Sequence, residues 1–222
     1  MRIAIRGMRR GGREVLGPLA LAIGPAETLA VLGPSGIGKT SLLRAVAGLE
    51  PVEGGIEGAG RVAMVFQEPT LMPWRTVLEN VTIPTGCGAE AAAARIAEVG
   101  LAGREGTYPR ALSLGQQRRV ALARAFAARP QTLLLDEPFV SLDAEASAAI
   151  QGLLARLIRE HPVRTLLVTH APEEALRLAD RAVLLAGEPA AIAREVRIAR
   201  PRAERDGDWL ARAVRGWREG TA

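Results

Sequence analysis

The sequence is poor in cysteine, histidine, aromatic residues and lysine. Its 222 residues include one Cys and two His, and Phe, Trp and Tyr together make up 3% of the chain. The single cysteine, Cys87, excludes an internal disulfide and fits a reducing compartment. So few aromatic rings argue against a stacking surface for single-stranded nucleic acid.

Lysine is the scarcest charged residue. Lys39 is the only lysine, and every other member of the 29 Lys and Arg residues is Arg. The net charge of +5 permits an anionic partner, but no block of about five or six like charges occurs. We therefore expect a solvated surface of scattered arginines and no nucleic acid partner.

Long apolar runs are absent as well. No run approaches the roughly 20 residues that a membrane-spanning helix needs, and residues 1–12 contain no apolar segment typical of a signal peptide. Because 48% of the residues are nevertheless apolar, the chain can bury a sizeable core. We expect a single domain over residues 1–222 that is soluble or docks on a membrane-embedded partner.

Short apolar runs alternate with stretches of helical spacing along the chain. The pattern predicts strands at 28–32, 61–66, 132–136, 164–169 and 182–186. It predicts helices at about 39–48, 90–99, 114–128, 143–160 and 172–179, and an amphipathic helix within a charged tail at 200–222. This alternation favours an α/β fold whose mostly parallel sheet is covered on both faces. Residues 70–112 lack strand-like runs, so we expect a mostly helical insertion over about 70–125.

Residues 33–40 read GPSGIGKT and match the pattern G-x-x-x-x-G-K-[ST] between a predicted strand and a predicted helix. The glycines of this pattern let backbone N–H groups turn toward phosphate oxygens at the positive end of a helix. Lys39 would reach the β- and γ-phosphates of a nucleotide, and the Thr40 hydroxyl would ligate Mg²⁺. We predict a nucleotide site formed by Gly33, Pro34, Ser35, Gly36, Ile37, Gly38, Lys39, Thr40 and Ser41.

Two acids end the predicted strand at 132–136. Asp136 and Glu137 follow Leu133-Leu-Leu, and parallel sheets bind ligands at the carboxyl ends of their strands. Asp136 would hold Mg²⁺ through water, and Glu137 would act as general base on the attacking water. An apolar run followed by two acids is a weak signal alone, but the phosphate loop upstream strengthens it.

The segment Leu112-Ser-Leu-Gly-Gln116, followed by Gln117-Arg-Arg-Val-Ala-Leu-Ala-Arg124, is similar to the signature of a known family. Together with the phosphate loop and the two acids, this segment makes the whole chain resemble the ATP-binding subunit of ABC transporters. The resemblance implies a P-loop NTPase core with a mostly parallel sheet, a small antiparallel β subdomain and a helical insertion. It also implies that Ser113, Gly115 and Gln116 contact ATP held by a second copy in a head-to-tail dimer. Leu114 stands where the family usually has glycine.

Other residues match further motifs of the family, in the same order along the chain. By resemblance, Gln67 is a ligand of Mg²⁺ and water, Asp143 in Ser141-Leu-Asp143 crosses the dimer interface, and His170 contacts the γ-phosphate. The cofactors implied are ATP and Mg²⁺, with Lys39, Gln67, Glu137 and His170 as the catalytic set. The other histidine, His161, lies beside Pro162 at a predicted helix end, and we expect it on the surface.

The sequence departs from the family in two places. Members usually stack adenine on an aromatic ring before the phosphate loop, but no Phe, Trp or Tyr precedes Phe66, and Arg10 occupies the expected position. A guanidinium can stack on a base, so Arg10 either holds adenine or points into solvent. The segment at 50–60 is shorter than usual, which predicts a trimmed antiparallel sheet.

Residues 67–81, with the step Pro-Trp-Arg-Thr-Val at 73–77, resemble the subgroup that powers uptake of nitrate, sulfonates, taurine and pyrimidine-type precursors. The resemblance implies a homodimer docked on membrane permease subunits, peripheral to the cytoplasmic face of a bacterial inner membrane, without direct contact to the solute. Trp74 is either an exposed docking anchor or a buried residue of the insertion. The alternatives are a non-transport ABC ATPase that remodels macromolecules and a small-molecule P-loop kinase.

Overall fold

The computed structural model describes residues 1–220, which contain ten β-strands and seven α-helices. The strands are β1 Arg2–Arg10, β2 Arg13–Leu16, β3 Leu19–Ala22, β4 Thr28–Leu32, β5 Glu53–Glu57, β6 Val62–Val65, β7 Thr132–Asp136, β8 Arg164–Thr169, β9 Arg181–Ala186 and β10 Ala191–Arg197. The helices are α1 Lys39–Val46, α2 Val77–Thr85, α3 Ala89–Glu98, α4 Leu114–Ala127, α5 Ala144–Glu160, α6 Pro172–Leu178 and α7 Gly207–Glu219.

The large sheet has six strands in the order β10-β9-β4-β8-β7-β6. Five of them run parallel, and β10 pairs antiparallel with β9 at one edge. Every residue of β4 and β7 is buried, as expected for strands covered on both faces. Along β7, Leu133 and Leu135 pack into one core cluster and Leu134 into the other. The sheet therefore separates two cores, and the predicted α/β class is correct.

A second sheet is antiparallel and has four strands. In it β1 pairs with β2, β3 and β5. Its inward residues, among them Ile3, Ile5 and Leu21, join the core cluster that also contains Leu42 and Leu43 of α1. This sheet is the antiparallel subdomain that the resemblance implied, and it brings the turn between β1 and β2 beside the start of α1.

Three helices form the insertion between β6 and β7. Helices α2, α3 and α4 pack against one another, and α4 also packs against β6 and α5. Helix α2 begins with a capping box in which Thr76 and Glu79 exchange bonds with each other's backbone. The sequence pattern predicts α3 and α4 individually but gives no separate signal for α2. Its interior Pro84 and its β-branched Val and Thr residues weaken the helical signal.

The charged C-terminal segment folds back on the core. Helix α7 packs against α6 and buries Leu210 and Trp217, in agreement with the predicted amphipathic helix. The last two residues of the predicted tail lie outside the described residues. Within residues 1–220, no helix combines the length and apolar character needed to cross a membrane.

Candidate active site

The candidate site lies at the carboxyl edge of the large sheet. Strands β4, β8, β7 and β6 are neighbours and parallel, so the segments that follow them meet at one edge. These segments are the phosphate loop at 33–41 after β4, Gln67 after β6, Asp136 and Glu137 at the end of β7, and His170 after β8. The topology thus gathers side chains that are up to about 130 residues apart in the chain.

The loop before α1 leaves the helix N-terminus open. Gly36 and Gly38 have φ values of 81° and 106°, in the left-handed region that only glycine adopts freely. A Cβ on Gly38 would lie 2.8 Å from side-chain carbons of Val15 and Leu16. Because Gly38 is the N-cap and has no side chain to accept a bond, the first-turn N–H groups of α1 have no cap. These groups are available to an anion such as phosphate.

Lys39 lies inside the loop and is only 4% exposed. Its Nζ donates to the carbonyl oxygens of Gly33 and Pro34, both at 2.8 Å, and lies 3.6 Å from Oε1 of Glu137. Burial lowers the pKa of Lys39, and the carboxylates of Glu137 and Asp136 oppose that shift. The loop carbonyls therefore fix a compact cation at the point where phosphate charge would accumulate.

Thr40 and Asp136 form a pair of oxygen donors beside Lys39. The Thr40 hydroxyl donates to Oδ1 of Asp136 at 2.9 Å, and Asp136 is 4% exposed. Burial raises the pKa of Asp136, and the hydrogen bond from Thr40 opposes this. Hydroxyl, carboxylate and amide oxygens are the ligands that Mg²⁺ prefers, so this donor set, together with the nearby Gln67, fits a magnesium ion.

Glu137 faces both Lys39 and His170. Its Oε2 lies 3.2 Å from Nδ1 of His170, while its backbone N–H donates to the carbonyl of Val168 at 3.0 Å. The Glu137 side chain is 16% exposed and that of His170 is 51% exposed. A carboxylate held between an ammonium and an imidazole, and open to solvent on one side, can accept a proton from water.

A cavity of about 520 Å³ opens over the loop. Most of its lining belongs to the predicted site, namely Arg10, Ser35, Gly36, Gly38, Lys39, Thr40, Ser41, Gln67 and Glu137. Pro34 and Ile37 line a second cavity of about 260 Å³ against the loop. Sequence reasoning missed Arg13 and Val15, which line both cavities. The Gly11-Gly12 turn between β1 and β2 was the available signal, since such turns join hairpin strands.

The residues predicted to contact a second copy lie elsewhere. Ser113 caps α4, accepting from the N–H of Gln116 at 3.3 Å and donating its own N–H to Oε1 of Gln116 at 3.0 Å. Gly115 lines a separate cavity of about 340 Å³ with both of these residues. Asp143 caps α5 by accepting from the N–H of Ala146 at 2.8 Å. None of these four residues lines the cavity over the phosphate loop.

The structure also shows how far Trp74, Leu114 and His161 are exposed. Trp74 is 70% exposed and Leu114 is 37% exposed, so the buried alternative for Trp74 is excluded. His161 lies at the surface only in part. Its side chain is 34% exposed, it hydrogen-bonds Glu98, and its ring centroid lies 5.9 Å from that of Phe126. Residues of α3 and α4 that pack beside the end of α5 cover the rest of this side chain.

Comparison with known families and curated proteins gives consistent matches. The sequence profile described as "ABC transporter" matches residues 16–140. The aliphatic sulfonates import ATP-binding protein SsuB 1 of Rhodococcus jostii (strain RHA1) is 46% identical over 222 residues, covering 96% of this chain and 88% of the relative. The protein of the same name from Pseudomonas fluorescens is 49% identical over 197 residues, covering 87% and 76%.

Comparison with solved structures points in the same direction. The ATP-binding cassette MJ0796, in a dimeric post-hydrolysis state bound to ADP and Pi, superposes with a TM-score of 0.76 at 27% identity. The match covers 90% of this chain and all of that chain. A second dimeric structure of MJ0796, described as a bacterial ABC transporter cassette, gives the same TM-score and identity.

Proposed function

This chain belongs to the ABC transporter family, and we propose that it is the ATP-hydrolysing subunit of an importer for aliphatic sulfonates or similar small organic anions. The single observation that carries the ATPase assignment is the position of Glu137 at the sheet edge, 3.6 Å from Lys39 and 3.2 Å from His170. The solute class is supported by relatives at 46% and 49% identity whose names specify aliphatic sulfonate import.

The nucleotide would bind along the loop and the start of α1. The uncapped N–H groups of α1 and the buried ammonium of Lys39 offer positive charge to the phosphates. Mg²⁺ would be held by Thr40 and Gln67, and by Asp136 through water. When bound, Mg²⁺ neutralises charge on the phosphate oxygens.

Hydrolysis would use Glu137 and His170, which contact each other at the carboxyl edge of the sheet. Glu137 orients the attacking water and takes its proton. His170, 3.2 Å from Glu137, holds that carboxylate in place and would contact the γ-phosphate. Lys39 stabilises negative charge that builds up on the phosphate during transfer.

The adenine end of the site would rely on arginine. Arg10 and Arg13 flank the Gly-Gly turn of the β1–β2 hairpin, and both line the cavity over the phosphate loop. The hairpin itself carries no aromatic ring, since Phe66 is the first aromatic residue in the chain. We assign adenine stacking to the Arg10 guanidinium, an interaction of about 0.5–2 kcal/mol.

The active form would be a head-to-tail homodimer. Ser113, Gly115, Gln116 and Asp143 lie outside the cavity that the chain's own loop forms, which fits residues that act on a nucleotide held by a second copy. The capped N-terminus of α4 carries partial positive charge toward such a phosphate. Both MJ0796 structures matched by the chain are dimeric, which supports this assembly.

The partners would be membrane permease subunits at the cytoplasmic face of a bacterial inner membrane. A groove of about 600 Å³ lies between the segment after Gln67 and helix α4, and its lining includes Pro69, Leu71 and Pro73. The exposed Trp74 follows directly. An apolar groove beside an exposed tryptophan fits the docking of a helix from the permease. The solute itself would not touch this subunit.

The test of the proposed function is the variant Glu137→Gln. It should bind ATP like the unaltered protein, lose turnover and accumulate as an ATP-dependent dimer, because the general base is removed while the phosphate contacts remain. Phosphate release, nucleotide binding and size-exclusion chromatography with Mg²⁺ and ATP measure the three properties. The matched control is Glu173→Gln, which removes an exposed carboxylate from α6. Turnover of Glu137→Gln at the unaltered rate would overturn the assignment of the base.

A further inference from the structure

Arg118 is a buried arginine that the proposed mechanism does not use. It lies on α4 and is 4% exposed. Burial lowers the pKa of its guanidinium, and no carboxylate of residues 1–220 forms a salt bridge with it. Burying a cation without an ion-pair partner is costly, so the contacts that replace such a partner indicate what the side chain holds.

Those contacts are two backbone carbonyls in one short loop. One terminal nitrogen of the guanidinium donates to the carbonyl oxygen of Pro138, and the other donates to that of Val140. The loop runs from Glu137 at the end of β7 to Asp143 at the start of α5. A planar guanidinium, whose N–H groups point in fixed directions, fits two carbonyls of one turn better than a single ammonium does.

The same loop carries backbone strain on both sides of the two carbonyls. Glu137 has a φ of 43° and Ser141 a φ of 63°, although neither is glycine. Such left-handed conformations cost free energy and persist only where the surroundings enforce them. Within the loop, the N–H of Val140 reaches the carbonyl of Glu137 at 3.3 Å. Arg118 supplies two side-chain hydrogen bonds to the segment between the two strained residues, and Phe139 of the same segment packs into the core.

Arg118 also lies on the helix that begins at the predicted contact with the second copy. Ser113 caps α4, and Arg118 follows one turn later on the same rigid element. A shift of α4 therefore acts on the carbonyls beside Glu137 through hydrogen bonds. We propose that Arg118 is a positioning residue that fixes the Glu137–Asp143 loop and links the occupancy of the partner-facing end of α4 to the placement of the general base. The inference rests on the proposed function, because it uses the roles assigned to Glu137 and Ser113.

The competing explanation is that Arg118 only stabilises the fold. A matched control variant distinguishes this role from positioning of the loop. Arg119 lies on the same helix and also donates to a backbone carbonyl, that of Val99 at 2.9 Å, but its bond joins α4 to the end of α3. Arg118→Gln and Arg119→Gln each remove one guanidinium from α4. Only the first releases the loop next to Glu137.

The experiment compares Arg118→Gln, Arg118→Lys and Arg119→Gln in the purified full-length chain. For Arg118→Gln we expect kcat for ATP hydrolysis to fall at least about 10-fold, with ATP affinity changed less than about 3-fold, because the phosphate contacts are untouched. The Hill coefficient for ATP should fall toward 1. Arg118→Lys should retain more turnover than Arg118→Gln, and Arg119→Gln should keep both kcat and the Hill coefficient near the unaltered values.

Amide hydrogen exchange distinguishes local release of the loop from a general loss of stability. Arg118→Gln, or Arg118→Lys if the former does not fold, should increase exchange in residues 137–143 while the protection of β4 and β7 is retained. The proposal is overturned if Arg118→Gln keeps the unaltered kcat, if its exchange changes are spread over the whole chain, or if Arg119→Gln loses turnover to the same extent. Failure of the proposed function is detected separately, since it would appear as unaltered turnover in Glu137→Gln.

Discussion

At the scale of single residues, the contrast between Lys39 and the arginines is informative. Arginine supplies every other side chain counted with lysine. Arginine guanidinium groups donate hydrogen bonds to backbone carbonyls, as Arg118 does beside Glu137. At position 39 the cation donates to two loop carbonyls at 2.8 Å and is 4% exposed. The space fits a compact ammonium, and a wide planar guanidinium would displace the loop.

We therefore predict that Lys39→Arg, although it preserves the charge, loses ATP turnover by roughly 100-fold or more, about as completely as Lys39→Ala. Steady-state phosphate release measures the effect. The control is Arg44→Lys, a reverse exchange on the same helix at a side chain that is 35% exposed and paired with Glu50. That variant should retain most of the activity. An active Lys39→Arg enzyme would contradict the steric argument.

At the scale of elements, α6 shows how a short helix is held at both ends. Glu174 in its first turn accepts a hydrogen bond from the Thr169 hydroxyl. At its other end, Arg205 of the C-terminal segment donates to the carbonyls of Leu176 and Ala179 at 2.9 and 2.7 Å. Burial lowers the pKa of Arg205 to about 10. Because His170 lies just before α6, these contacts position the segment that carries it.

Glu174 makes the stability of this region depend on pH. Burial raises its pKa, nearby Glu137 and Glu173 raise it further, and the Thr169 hydroxyl and His170 oppose the rise. Since the carboxyl has a higher pKa in the folded than in the unfolded chain, the folded state binds more protons. The stability contribution is thus fully present below the ordinary value of 4.5 and is lost as the pH rises through the folded-state value.

We predict that Glu174→Gln stabilises the protein relative to the unaltered chain at pH 8 more than at pH 4.5, because glutamine carries no charge that burial penalises. Urea unfolding of both proteins at several pH values measures the difference in unfolding free energy. The matched control is Glu173→Gln, whose side chain is 61% exposed on the same helix and should show little such trend. A constant difference between Glu174→Gln and the unaltered protein would contradict the argument.

At the scale of the whole molecule, we propose that two surfaces face different partners. The capped start of α4 and Asp143 would face the second copy, while the groove of about 600 Å³ beside Trp74 would face the permease. Both surfaces involve the insertion formed by α2, α3 and α4, which packs on the core through α4. Movement of this insertion would connect the nucleotide state to the membrane partner.

We predict that Trp74→Ala weakens binding to the permease by about 10-fold or more while ATP binding stays unchanged, because a large exposed ring that is buried on docking carries much of the binding energy. Co-purification and titration with permease in detergent or nanodiscs measure the affinity. Leu49→Ala removes another exposed apolar side chain, 62% exposed and outside the groove lining, and should bind normally. Equal permease affinity in Trp74→Ala would remove this residue from the interface.

Much of the fold was predictable because its signals are local. The strands at β4, β7 and β8 and the helices α4 and α5 follow from apolar runs, caps and spacing within a few residues. The antiparallel strands β1, β2, β3 and β5 were implied only by resemblance. Strand β5 has the sequence EGGIE and is mostly exposed, so pairing with β1 decides its conformation. Helix α2, with Pro84, likewise depends on packing against α3 and α4.

Local sequence accounts for the α/β class, the phosphate loop with its lysine and the two acids at the end of β7, because backbone periodicity and motif spacing are properties of neighbouring residues. Three placements depend on the tertiary structure: Glu137 lies 3.2 Å from His170, Arg10 and Arg13 line the cavity over the loop, and Arg118 donates to two carbonyls beside Glu137. Strand order and helix packing bring these residues together across long separations. No local pattern encodes such distances.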